Sequence, residues 1–398
     1  MSGRLRTPMS FARSGARPRA VYFDTVTLAL VLAILLFGLI MVTSASISIA
    51  GQDTGNPFYF LERQLIAALI GIGGAIVAFS LRCEQLERLS PWLLIAAIVM
   101  LLAVLVPGLG LRVNGGRRWL RLAGFSFQVS ELARVLVLVY IASYAARRQE
   151  ELRESLSGLA KPLALLSLMA VLLLGEPDFG AAAVLFAAGF GMLFVGGARL
   201  RYVLGVTVLA AAAFALLAVT SAYRLRRLTG FLDPWASPYG SGFQLTQSLI
   251  AIGRGKWFGV GLGNSVQKLF YLPEAHTDFL FAVLAEELGL AGVLLTIGLF
   301  VALIWRAFHI AQLAARANLT FHRLLAAGFG LWIGMQAFIN IGVNMGVLPT
   351  KGLTLPLMSY GRSSLIVTLI WVGLLLRIYH ETMIESRGAA RAREEAAA

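Results

Sequence analysis

The residue types that could do chemistry in this 398-residue chain gather after position 250. Leu272-Pro-Glu274-Ala-His276-Thr-Asp278 puts two carboxylates and an imidazole in one short run. Just upstream lie Gly253-Arg254-Gly-Lys256-Trp257, then Gly259-Val-Gly-Leu-Gly263-Asn264-Ser265, then Lys268. Glycines let backbone N–H groups approach an anion closely, and lysine and arginine supply positive charge. A carboxylate beside such a cradle could take a proton from a hydroxyl next to a bound phosphate. The same residues also suit an ion or proton site in a transporter, or a purely structural arrangement. No strand-like run precedes the glycines and no Gly-Lys-Ser/Thr occurs, so neither a dinucleotide turn nor a P-loop fits. His-Glu-x-x-His is absent, and the single cysteine, Cys83, excludes a disulfide framework or a cysteine-rich metal site.

Further charges stand out by position. Arg112, Arg117, Arg118 and Arg121 crowd one short segment, Arg224, Arg226 and Arg227 open the long segment ahead of the glycines, and Lys351 and Arg362 flank the last apolar run. Together they suggest an external cavity for a phosphate-bearing lipid, or else a solvated basic surface near lipid headgroups. Gly175-Glu176-Pro177-Asp178-Phe179-Gly180 leaves two acids at a proline-broken helix end. Glu131 and Arg134 are three apart, so they can neutralise each other on one helix. Glu286 and Glu287 fall about 80° and about 180° around a helix from Asp278, at ~100° per residue, and structural pairing within the bundle is expected for them. Gln336, Asn340 and Asn344 form an i, i+4, i+8 stripe, expected to glue helices together by hydrogen bonds.

These residues must be positioned by membrane helices. Of the chain, 58% is hydrophobic and 14% charged, too apolar for a soluble core and the opposite of a disordered composition. Spanning helices need about 20 apolar residues each, and about ten such runs occur: Val26–Ser44, Gln64–Leu81, Pro91–Val106, Ser130–Ala146, Leu163–Leu174, Phe179–Val195, Tyr202–Ser221, Phe279–Trp305, Arg323–Met345 and Ser363–Tyr379. The expected fold is an all-α polytopic integral membrane protein. Arg4, Arg6, Arg13, Arg17 and Arg19 place the N-terminus in the cytoplasm, and an even number of spans returns the C-terminus there. The expected organisation is a basic tail over 1–24, a membrane domain over 25–380 with a large external loop at 222–278 between the seventh and eighth spans, and a solvated tail over 381–398. Within that loop Gln244–Ile252 reads as an amphipathic interfacial helix.

The chain resembles the SEDS family (shape, elongation, division and sporulation proteins) from about residue 25 to 380. The resemblance rests on Tyr271-Leu-Pro-Glu-Ala-His-Thr-Asp-Phe279, Gly263-Asn-Ser-Val-Gln-Lys268, Leu348-Pro-Thr-Lys-Gly-Leu-Thr-Leu-Pro356, Asn114-Gly-Gly-Arg-Arg-Trp119 and Glu176-Pro-Asp-Phe-Gly180. The Pro-Thr-Lys-Gly run is similar to the division-type members rather than the elongation type. The resemblance implies a ten-span peptidoglycan glycosyltransferase of the bacterial inner membrane at the division septum. It would polymerise lipid II and polyprenyl-diphosphate-linked glycan on the periplasmic face. It implies Asp278 as the essential carboxylate, general base or holder of a divalent cation (Mg or Mn), no other cofactor being expected. Arg117, Arg118, Trp119, Lys351, Arg254, Lys256, Asn264, Lys268, Glu274 and His276 would contact substrate, with Glu131, Glu176, Asp178 and Ser359 as supporting polar groups. A class B penicillin-binding transpeptidase (FtsI) and other divisome proteins are the implied partners, with no nucleic acid. The rival class is a lipid II flippase, but a carrier places its site at the midplane, whereas these motifs fall on the external side. Val129, Arg134, Phe270 and Arg362 depart from the family pattern, where proline, lysine, glutamate and glycine are expected.

Overall fold

A computed structural model describes residues 21–113, 116–122, 125–220, 231–240 and 242–397. The five N-terminal arginines, Asn114, Gly115, Arg224, Arg226 and Arg227 lie outside the described residues. The helices are α1 (Thr25–Thr54), α2 (Tyr59–Ser80), α3 (Cys83–Leu105), α4 (Val129–Arg147), α5 (Gln149–Glu154), α6 (Leu156–Gly175), α7 (Phe179–Val195), α8 (Leu200–Val219), α9 (Phe243–Gly255), α10 (Leu280–Arg316), α11 (Thr320–Asn344) and α12 (Arg362–Ala397). Every expected apolar run falls on one of them. Eight are long and apolar enough to cross a membrane, while α7 and the Leu200–Leu209 part of α8 are shorter apolar helices.

Leu69, Val77, Trp92, Val208 and Leu209 stand outward and exposed, as lipid-facing residues do. The helices buried over most of their length are α4, α11 and α12. At their centre Trp332 and Trp371 stack with ring centroids 4.9 Å apart, and the Arg134 guanidinium lies 5.9 Å from the Trp332 ring. Small residues bring α2 and α12 together: a Cβ on Gly373 would stand 2.3 Å from the Ala75 carbonyl oxygen, the close approach that glycine permits between membrane helices.

Four features go beyond the sequence expectation. The Arg112–Arg121 segment is a three-stranded antiparallel sheet, β1 (Gly110–Val113), β2 (Gly116–Leu122) and β3 (Phe125–Gln128). Arg362 donates to Ser126 Oγ at 3.2 Å, tying the sheet to the start of α12. Past residue 381 the chain is helical, α12 continuing to Ala397, because its Ala, Arg and Glu residues are strong helix formers. The 1–24 tail is docked at its end, where Asp24 receives Arg306 at 2.8 and 2.9 Å. Finally, α9 packs one face against α10. Leu245 and Ala251 are buried, and a Cβ on Gly255 would fall 1.8 Å from the Ala285 carbonyl oxygen.

Candidate functional site

Asp278 sits half-buried in the turn that opens α10. A Cβ on Gly352 would stand 3.1 Å from its Oδ2, so the carboxylate rests on bare main chain. Around it three segments converge. Arg118, on β2, donates from Nε to the Glu176 carbonyl at 3.0 Å and from Nη2 to the Pro177 carbonyl at 2.6 Å. Asp178 caps α7 by accepting from the Ala181 N–H at 3.0 Å, while Ser130 and Gln128 donate to its other oxygen. The Lys351 ammonium lies 3.7 Å from the centre of the Phe179 ring. Burial pushes the Asp278 carboxyl up to about 7, the Glu274 and Asp178 carboxylates adding to the shift and Arg118 opposing it. Glu176 is fully buried with both carboxyl oxygens unpartnered. Burial first, then Asp178, pushes it up to about 8 against Arg118. A carboxyl poised near neutrality beside a guanidinium is the arrangement general-base chemistry needs.

Not every sequence candidate reaches this corner. Arg117 and Arg118 are neighbours on a strand, so their side chains leave opposite faces of the sheet, and Trp119 shares the Arg117 side. His276 packs between Phe60 and Tyr360, at 4.4 and 5.6 Å between ring centroids, and burial lowers its pKa. Its carbonyl accepts from the Tyr360 N–H at 3.0 Å, so it fastens the loop to α2. Glu274 is exposed and accepts from Thr277 Oγ1 at 2.7 Å. Ser359 Oγ accepts from the Leu355 N–H at 3.0 Å and its carbonyl accepts from Gln64 Nε2 at 3.0 Å, which secures the 355–359 turn. Glu131 and Arg134 form the expected ion pair, buried on α4. Phe270 is exposed at φ 66°.

The glycine-rich basic segment does something other than cradle an anion. Gly289 breaks α10 at φ 64° and ψ −160°. The break frees carbonyls and N–H groups that a buried helix must satisfy, and this segment satisfies them. Val260 and Gly261 N–H groups donate to the Glu286 and Glu287 carbonyls, both at 3.0 Å. Leu290 and Ala291 N–H groups donate to the Lys256 and Trp257 carbonyls at 2.9 and 3.1 Å. Gly259 is glycine because a Cβ there would lie 2.1 Å from the Glu287 carbonyl oxygen. The basic side chains follow: Lys268 is buried on Glu287 at 2.8 Å with Ser44 at 3.0 Å, and Arg254 reaches Glu286 at 3.4 Å. Arg254 and Lys268 are therefore counter-charges for buried acids, which must be paired. Lys256 is exposed at φ 47°. Asn264 and Lys268 line a separate cavity of about 740 Å³ against Ile40, Ser44 and Ile47 of α1.

The Gln336, Asn340 and Asn344 stripe is the glue the spacing implied. Gln336 donates to the Thr354 carbonyl at 3.1 Å. What the spacing did not reveal is that both asparagines end on Asp278 itself, Asn340 at 2.9 Å and Asn344 at 3.0 Å from its carbonyl oxygen.

This bundle and corner define a polytopic membrane protein with a half-buried carboxyl near a guanidinium at one end. The profile of the FtsW/RodA/SpoVE family of cell cycle proteins matches residues 24–384, and the chain belongs to that family. It is 55% identical over 353 residues to a probable peptidoglycan glycosyltransferase FtsW of Thioalkalivibrio sulfidiphilus, covering 89% of this chain and 88% of the relative. Among solved structures it is similar to a chain from a peptidoglycan synthase complex that coordinates polymerization and crosslinking, with TM-score 0.75, 32% identity and 90% and 98% of the two chains covered. It is also similar to the rod shape determining protein RodA of Thermus thermophilus, with TM-score 0.68, 30% identity and 92% and 99% covered.

Proposed function

We propose that the Asp278 corner is where this chain, a peptidoglycan glycosyltransferase of the bacterial membrane, joins lipid II units into β-1,4-linked glycan during division. The observation that carries this reading is a half-buried carboxyl held near neutral pH beside Arg118, with the Lys351-Gly352 segment against it. The acceptor is the 4-hydroxyl of the GlcNAc of one lipid II; the donor is a glycan on a polyprenyl diphosphate. Asp278 takes the hydroxyl proton as the oxygen attacks the donor sugar carbon, and the bond from that carbon to the diphosphate breaks. An α-linked donor giving a β-bond requires inversion, for which one carboxylate base suffices. Arg118 and Lys351 offset the charge gathering on the departing diphosphate. The leaving group is already an anion, so no acid partner is required.

A divalent cation fits this corner through one protein carboxylate. Among the described residues, the one grouping of three acid, His or Cys side chains close enough to share a metal ion is Cys83, His322 and Glu381, and there Glu381 is taken up by Arg377 and His322, both at 2.7 Å. Magnesium commonly binds through one or two carboxylates plus substrate phosphates, so Asp278 would hold Mg²⁺ or Mn²⁺ together with the diphosphate, and the ion would supply further charge neutralisation. The basic N-terminus supports cytoplasmic termini and a periplasmic corner. FtsI, with other divisome proteins, is the proposed partner at the septum. Purified protein with FtsI and lipid II is expected to yield polymer that a muramidase digests; monomer alone, with and without Mg²⁺, would sink the reading.

A further inference from the structure

Asp278 precedes α10, so no regular ladder holds its main chain. Its carbonyl instead accepts from two amides one turn apart at the end of α11, Asn340 Nδ2 at 2.9 Å and Asn344 Nδ2 at 3.0 Å. The same Asn340 nitrogen donates to the Leu353 carbonyl at 2.6 Å. Asn344 Oδ1 accepts from the Ala282 N–H at 3.1 Å, and the Asn344 carbonyl accepts from Ser248 Oγ at 2.8 Å. Both asparagines are buried. Asn340 keeps this pose although its own Oδ1 is buried without a partner, a local loss that packing alone would not favour. Next to the tethered Leu353, Gly352 leaves open the space beside Asp278 Oδ2, where a Cβ would stand 3.1 Å away. Gly352 is not in the left-handed region, so what glycine provides there is space.

We propose that Asn340, Asn344 and Gly352 are positioning residues for the transfer. The amides lock the main chain at Asp278 and at Leu353, and the missing side chain of Gly352 gives the carboxylate its seat. The proposal rests on Asp278 being the reacting carboxylate. It assigns the polar stripe of α11 a task beyond holding helices together: setting where the base stands relative to the acceptor hydroxyl. A misplacement of ~1 Å lowers a rate about 100-fold.

Asn344→Asp tests this, because it keeps the oxygen that accepts from Ala282 while replacing by an oxygen the Nδ2 that donates to Asp278 and, at 2.8 Å, to the Asn340 carbonyl. If the residue only capped α10, the variant would lose stability but keep its kcat wherever it stays folded. The expected result, measured on the full chain in complex with the transpeptidase, is a kcat lowered about 100-fold, a KM for lipid II within about twofold, and a retained thermal unfolding transition. Gly352→Ala decides independently of whether that variant folds. Its methyl group crowds Asp278 Oδ2, so kcat falls and the midpoint of the pH–rate profile moves up, while the thermal midpoint is kept. Wild-type kcat and pH midpoint in Gly352→Ala, or wild-type kcat in folded Asn344→Asp, would overturn the proposal. Asp278→Ala run alongside separates the two claims. If it polymerises, the reading of the corner fails; if it is inactive while the other variants run normally, the positioning role alone fails.

Discussion

Two stretches of this chain mix glycine, base and acid, and they end in opposite states. Along 253–268 the requirements are met internally: backbone N–H groups cap the broken turn at Gly289, Lys268 neutralises Glu287, and Arg254 meets Glu286. Around Asp278 they are not. Glu176 has two unpartnered oxygens, and Asp278 is held up to about 7 beside Arg118. Side-chain composition is nearly the same in both places. What separates a splint from a site is whether the polar groups already satisfy one another, and burial with partial satisfaction is the state a protein keeps where a ligand completes the set.

Substitutions can break this contrast in order of size. Lys268→Ala leaves Glu287 buried without its counter-charge, at about 3–5 kcal/mol. Thermal unfolding should therefore collapse, with activity lost as a consequence. Pairing Lys268→Met with Glu287→Gln should restore most of that stability, since removing both charges is often near neutral. Unchanged stability in Lys268→Ala would erase the distinction. Lys351→Ala is expected to behave the other way round. Polymerisation falls about 10- to 100-fold, hydrogen bonds to charged groups being worth about 1.5–3 kcal/mol. The contact with Phe179 accounts for about 0.5–1 kcal/mol of stability. Equal losses of activity and stability would move Lys351 out of the site.

A last contrast is with pH. The base must shed its proton, so polymerisation should rise as pH increases through about 7. Stability runs against it. Asp278 and Glu176 have folded pKa values raised to about 7 and about 8, above the ~4 of free carboxyls. The folded state therefore keeps protons the unfolded chain has lost, and stability declines from pH ~4 up to about 8. A thermal midpoint higher at pH 8 than at pH 5, together with a flat rate profile, would contradict both assignments.

Much of the bundle was legible because apolar run length is a direct physical requirement of the bilayer. The Glu131–Arg134 pair, the pairing of Glu286 and Glu287, and the adhesive stripe on α11 all followed from helical spacing. The sheet was not read, although Asn114-Gly115 between short alternating runs is a hairpin signal; the arginines drew attention to charge and away from period. The splint was hidden because its cause, the break at Gly289, lies some thirty residues downstream (about 30, a separation over which local propensity carries no information). Likewise no spacing rule says that an amide on one helix will end on a main-chain carbonyl more than sixty residues away, as Asn340 and Asn344 do on Asp278.

The central claim is that chemistry happens at the Asp278 carboxylate. Its most direct test is the glycan product of Asp278→Ala, purified with the proposed partner transpeptidase and supplied with lipid II. The account predicts a folded complex that makes no polymer, a general base contributing about 10²–10⁴-fold. Glycan strands of normal length at the normal rate from that variant would contradict it.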